Sequence, residues 1–225
     1  MGKNNIKKPA AFLDRDGTLI YDKNYLSSPE RVRLYSYSAE SIKKLRKAGF
    51  KIIVVTNQSG IARGIFNEKD LKKVNKRFVD LLKEQGAKID GLYYCAHIDE
   101  NSCDCRKPKT AMALKAAKEH NIDLEKSYTV GDSVRDYMFG YNSGGKGILV
   151  LTGHGKEQMK KIKSQKIKPL AVCKTLKQAV NVIINDNYKL RITNGACPRV
   201  SKSGESTANS KKAITNQRRS HYEEE

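Results

Sequence analysis

Ala10-Ala11-Phe12-Leu13-Asp14-Arg15-Asp16-Gly17-Thr18-Leu19 sets four apolar residues directly before two carboxylates two positions apart. A short apolar run of this kind reads as a buried strand. Two like charges at its end repel and shift each other's pKa. A divalent cation relieves that repulsion, and hard carboxylate oxygens suit Mg²⁺. An Asx-type turn at a strand end accounts for the same residues without any chemistry. Gly17 frees the backbone to turn in either case.

Outward from this stretch the apolar pattern alternates. Strand-length runs stand at Ala10–Leu13, Lys51–Thr56, Gly91–Cys95, Tyr128–Val130, Gly147–Leu151 and Ala171–Cys173. Helix-period segments lie between them: Ser38–Ala48, Glu68–Gln85, Thr110–His120, Val134–Tyr141 and Leu176–Ile184. In the second of these, Leu71, Val74, Phe78, Leu81 and Leu82 share one helical face. The alternation predicts βαβ units and an α/β fold with a parallel sheet. Ligands of such sheets sit beyond the carboxyl ends of the strands. The residues with chemistry follow the runs accordingly: Asp14, then Thr56-Asn57-Gln58, then Cys95, then Gly131-Asp132. From Asn185 on, no helical or strand period survives. The expected organisation is one domain over 1–190 and a disordered polar tail over 191–225.

The chain has 225 residues, 38% of them hydrophobic, and no apolar run near membrane-spanning length. The basic start is cut by Asp14 before a signal peptide can form, and Ile6 stands where a myristoylation signal needs Ser or Thr. A cytoplasmic address is expected. Lys and Arg number 44 against 24 acids, a net charge of +20. A field of that sign attracts nucleic acid, anionic membrane or phosphorylated small molecules, and Lys-rich helix faces kept for solubility explain it equally well.

Five cysteines, three of them between positions 95 and 105, make a poor disulfide framework. Cys95-Ala96-His97 and Cys103-Asp104-Cys105 together offer three thiolates and one imidazole. That is a soft tetrahedral set suited to a structural Zn²⁺, with no position left for water. Reduced cysteines beside a loop histidine are the plainer alternative. Cys173 reads as core and Cys197 as a free thiol in the tail. His120 reads as a helix-end residue and His154 as an ordinary loop histidine.

Four segments taken together resemble the haloacid dehalogenase superfamily of phosphotransferases. They are Asp14-Arg15-Asp16-Gly17-Thr18, Val55-Thr56-Asn57-Gln58-Ser59-Gly60, Cys105-Arg106-Lys107-Pro108, and Gly131-Asp132-Ser133 with Asp136. The resemblance implies a Rossmannoid three-layer sandwich without a large cap domain. It implies that Asp14 is the nucleophile, Asp16 the general acid and base, and that Thr56 and Lys107 bind the phosphoryl oxygens. Mg²⁺ would be held by Asp14, the Asp16 backbone carbonyl and Asp132, with Asp136 supporting them.

The cysteine loop narrows the resemblance to the D-glycero-D-manno-heptose 1,7-bisphosphate 7-phosphatases and the related histidinol-phosphate phosphatases. Thr56-Asn57-Gln58-Ser59-Gly60-Ile61-Ala62-Arg63-Gly64 favours the former. That family implies a structural zinc on Cys95, His97, Cys103 and Cys105. It implies sugar contacts from Asp22, Lys23, Asn24, Tyr25, Asn57, Gln58 and Ser59, and Arg106 against the phosphate left on the sugar. The partner is then a sugar bisphosphate rather than a membrane or nucleic acid; a monomer is favoured, and the sequence leaves the oligomeric state open. Ala96 and Thr110-Ala111 depart from the family's prolines and glycine, and Ser133 stands where the family often has a basic residue. A nucleic-acid 3′-phosphatase is the remaining alternative.

Overall fold

The computed structural model describes residues 6–99, 103–162 and 164–193. Among the described residues six strands form one sheet: β1 (Lys8–Leu13), β2 (Lys51–Asn57), β3 (Gly91–Cys95), β4 (Ile122–Gly131), β5 (Lys146–Val150) and β6 (Ala171–Cys173). Their order is β3-β2-β1-β4-β5-β6, and every pairing is parallel. The winding direction reverses between β1 and β4, the crevice where open α/β sheets bind ligands.

Strand alternation builds two cores from one sheet. Ala11 and Leu13 of β1, with Ile52 and Val54 of β2, face one apolar cluster. Ala10, Phe12, Ile53 and Val55 face the other. The first cluster is covered by α1 (Ser38–Lys47), α2 (Glu68–Glu84) and α6 (Leu176–Thr193). The second is covered by α3 (Ala111–His120) and α4 (Val134–Asn142). The result is the expected three-layer sandwich. Between β1 and β2 stand only a 3₁₀ turn at Pro29–Arg31 and α1, and between β2 and β3 only α2. Among the described residues no cap domain is inserted.

Two boundaries differ from the sequence reading by more than two residues, and one helix was not expected. β4 begins six residues before Tyr128, because its register against β1 slips between Pro9 and Ala11. Glu125 and Lys126 sit exposed in that irregular stretch and interrupt the apolar run. α5 (Gly155–Ile162) has no apolar stripe to announce it, and only Gly155 is buried. α6 does not stop near Ile184 but continues to Thr193. Asp186 ties this extension to the sheet, accepting from Tyr128 Oη and Lys146 Nζ, both at 2.6 Å. The expected domain limit at 190 therefore falls inside a helix. The rest of the expected tail, 194–225, with Cys197, lies outside the described residues.

Candidate active site

Backbone pairing fixes the nucleophile candidate before any side chain does. Asp14 N–H donates to Val130 O at 2.9 Å, carrying the β1–β4 ladder one residue past the strand. Asp132 follows the end of β4, and its Oδ2 accepts from the His154 N–H at 2.7 Å. Asp136 starts α4 through a reciprocal cap with Ser133. Asp14, Asp132 and Asp136 are all buried, and one ligand oxygen from each lies within 4.8 Å of the others. Two glycines let the chain close over them. Gly17 has φ +76° and Gly153 φ +52°, and a Cβ on either would come within 2.1 Å of Asp132 Oδ2.

Lys107 is the cation of this floor. Its ammonium donates to Asp14 Oδ1 at 2.6 Å and to Val55 O at 2.8 Å, and lies 2.6 Å from Asp136 Oδ1. Its backbone is clamped by one amide: Lys107 N–H donates to Asn57 Oδ1 at 3.0 Å, and Asn57 Nδ2 donates back to Lys107 O at 3.2 Å. Burial pushes Asp14 well above the usual carboxylate range; Lys107 pulls it back, while Asp136, Asp132 and Asp16 add to the rise. Burial, then the Asp136 charge, pushes Asp132 up to about 7. Burial opposes the Lys107 charge, but Asp136 and Asp14 outweigh it and hold Lys107 above its ordinary value. Three buried carboxylates against one ammonium leave negative charge in excess, which suits a hard divalent cation.

The Asp16 side chain lies outside the three-carboxylate cluster. Arg15 grips it with Nε and Nη2, each at 3.1 Å, Gln58 Nε2 donates to it at 2.8 Å and Thr56 Oγ1 at 3.3 Å. Arg15 is fully buried and reaches Asn75 of α2 at 2.5 Å. The Arg15 brace was not foreseen, although an arginine between two acids at the end of an apolar strand is itself a signal for one.

One cavity of about 400 Å³ takes in Asp14, Asp16, Thr56, Lys107, Asp132 and Asp136 at its floor. Asp22, Asn57, Ser59, Arg106, Arg135, His154 and Lys161 stand around them. An adjoining cavity of about 200 Å³ is lined by Asp22, Asn24, Tyr25, Gln58 and Ser59. Asn24 and Tyr25 hold φ values of +43° and +53°, a conformation that non-glycine residues rarely adopt outside special sites. Lys23 is exposed and outside both linings. His154, read as an ordinary loop residue, reaches Asp22 at 2.8 Å and joins the two sides of the mouth. Arg135, Gln158 and Lys161 are further lining residues that the sequence reading did not single out.

Beside the mouth, Cys95, His97, Cys103 and Cys105 converge so that one ligand atom from each lies within 4.8 Å of the others. Cys95 Sγ is 3.6 Å from His97 Nδ1 and 3.8 Å from Cys103 Sγ, and His97 Nδ1 is 3.3 Å from Cys105 Sγ. Arg106 Nη1 donates to His97 O at 3.1 Å, which joins this cluster to the cavity wall.

The profile of the polynucleotide kinase 3 phosphatase family matches residues 9–166. A D-glycero-beta-D-manno-heptose-1,7-bisphosphate 7-phosphatase from Helicobacter pylori is 42% identical over 144 residues, 64% of this chain and 83% of that protein. The protein of the same name from Pasteurella multocida is 42% identical over 153 residues, 65% of this chain and 83% of its own. The crystal structure of D,D-heptose 1.7-bisphosphate phosphatase from B. bronchiseptica, complexed with magnesium and phosphate, matches with a TM-score of 0.71 at 28% identity, covering 79% of this chain and 99% of that one. No helix among the described residues is long and apolar enough to cross a membrane. Matched by that profile over most of its length and by these relatives over most of theirs, the chain is a phosphatase of the haloacid dehalogenase superfamily and belongs both to the polynucleotide kinase 3 phosphatase family and to the D-glycero-D-manno-heptose-1,7-bisphosphate 7-phosphatase family.

Proposed function

We propose that this chain is a Mg²⁺-dependent phosphatase that removes the 7-phosphate of D-glycero-D-manno-heptose 1,7-bisphosphate through an aspartyl-phosphate on Asp14. The observation that supports this best is the buried set of Asp14, Asp132, Asp136 and Lys107 at the switch point, in a chain 42% identical to proteins of that name. Asp14, Asp132 and the Asp16 carbonyl would hold the metal, since Asp136 is already engaged by Ser133 and Lys107. Bound there, Mg²⁺ supplies positive charge to a phosphoryl oxygen.

A carboxylate oxygen of Asp14 attacks phosphorus, and the bond from phosphorus to the sugar oxygen breaks. The leaving alkoxide takes its proton from Asp16, which the Arg15 fork and Gln58 keep in one orientation. Water then attacks the phosphorus of the acyl phosphate and gives its proton to Asp16. The Asp14 carboxylate and inorganic phosphate are released. Lys107 and the Thr56 hydroxyl offset the charge on the equatorial oxygens throughout. The second cavity, with Asp22, Asn24, Tyr25 and Ser59, supplies donors and acceptors for sugar hydroxyls.

The cysteine cluster is read as a structural zinc site. A tetrahedral zinc with sulfur bonds of about 2.3 Å would separate two sulfur ligands by about 3.7 Å, and the Cys95–Cys103 separation of 3.8 Å fits that spacing. The chain segment from Cys105 leads in two residues to Lys107, so the zinc would hold the phosphate-binding lysine in place without touching substrate.

The test is magnesium-dependent phosphate release from the heptose bisphosphate, histidinol phosphate and a 3′-phosphorylated oligonucleotide in parallel. The heptose bisphosphate is expected to give the highest kcat/KM. A higher value for either of the others overturns the substrate assignment.

A further inference from the structure

The cations around the cavity divide into two groups. Lys107 is saturated by Asp14, Asp136 and Val55 O. Arg106 and Arg135 are not part of that floor. They meet instead at a single carboxylate: Asp99 Oδ1 accepts from Arg106 Nε at 2.6 Å, and Asp99 Oδ2 accepts from Arg135 Nη2 at 2.8 Å. The Asp99 side chain is 59% exposed, whereas the Arg106 side chain is 10% exposed and further held by His97 O. Two guanidinium groups are thus fixed against the same small, displaceable anion. Lys161 of α5 lines the same cavity.

A guanidinium fork binds a phosphate dianion in the same way that it binds a carboxylate, and the dianion carries more charge. Position 133, directly after Asp132, is a serine here and contributes no charge to the wall. Arg135 stands two residues further on, at the start of α4, and lines the cavity from that side.

We propose that Arg135, assisted by Lys161, is a specificity residue that holds the non-reacting phosphate of a bisphosphate substrate beside Arg106, and that Asp99 occupies the arginine pair until that phosphate displaces it. This deepens the functional reading above and rests on it. Bisphosphates then gain over monophosphates at the cavity wall, without any change in the chemistry at Asp14.

The experiment compares kcat/KM for D-glycero-D-manno-heptose 1,7-bisphosphate and for the 7-phosphate. Arg135→Ala should lower the ratio of the two about tenfold, the size of one lost charge-assisted contact. The change should appear in KM for the bisphosphate rather than in kcat. Arg135→Lys should recover part of the ratio, and Lys161→Ala should lower it about threefold. Asp99→Asn, which weakens the resident anion, should raise the ratio. Lys156→Ala, on α5 but outside the cavity lining, serves as the control. An unchanged ratio in Arg135→Ala, or an equal loss on both substrates, overturns the proposal. An unchanged or lower ratio in Asp99→Asn overturns the displacement. Should the wild-type chain ignore both heptose phosphates, the functional reading fails separately. The wall is then tested by inhibition of p-nitrophenyl phosphate hydrolysis, with fructose 1,6-bisphosphate set against fructose 6-phosphate. A bisphosphate preference removed by Arg135→Ala supports the proposal, and no preference in the wild type overturns it.

Discussion

The floor and the wall of the cavity are built on opposite principles. At the floor, Asp14, Lys107 and Asp136 are nearly closed to water, and strand ends and a helix cap hold the Lys107 ammonium 2.6 Å from each carboxylate. At the wall, Asp99 and Arg135 are about half exposed, and they stand on a loop and a helix edge. Buried charges interact strongly and are costly to leave unpaired. Exposed pairs contribute little to stability but can exchange partners. The floor is suited to a fixed reaction, and the wall to a choice among substrates.

Variants sharpen that contrast in descending order of effect. Asp14→Asn should abolish phosphate release, by about 10⁴-fold or more, because the attacking carboxylate is gone. Its circular dichroism should match the wild type, and retained turnover would mean that the floor does not contain the nucleophile. Lys107→Met should cost about 3–5 kcal/mol of stability, read by urea unfolding, because two buried carboxylates lose their counter-charge. The same change at exposed Lys109 should cost less than about 0.5 kcal/mol, and equal costs would erase the distinction between floor and surface. Stripping all divalent metal and restoring Mg²⁺ alone should leave activity several-fold low until Zn²⁺ is also supplied. Full recovery with Mg²⁺ alone would separate the cysteine cluster from Lys107. His154→Ala removes only the pair across the mouth to Asp22, and should change KM by no more than about threefold.

The same division governed what the chain's pattern disclosed. Asp14, Thr56, Cys95 and Asp132 were legible because each closes an apolar run of a parallel sheet, so the fold itself delivers them to one edge. Asp136 was legible as one helical turn past Asp132. Arg135 was not, since a charged residue on an amphipathic helix looks like solvated surface until its neighbour Asp99 is placed. Lys161 was hidden for a related reason: Gly155–Ile162 carries three lysines and no apolar face, so nothing in its period marked a helix. The continuation of α6 was missed because polar Asp186 anchors it, through Tyr128 and Lys146, rather than an apolar stripe. Periodicity reports what faces a core. It does not report polar contacts made between distant segments.

Among the described residues no inserted domain stands over the mouth to shut behind an arriving molecule. Discrimination then cannot work by refusing entry, and has to come from how long each visitor stays. Offered alone, at concentrations high enough to keep the cavity filled, a poorly matched ester would be cleaved nearly as fast as the favoured one. When two esters compete, their relative rates follow the ratio of their kcat/KM values at every concentration, so the open cavity still selects within a mixture that keeps it filled.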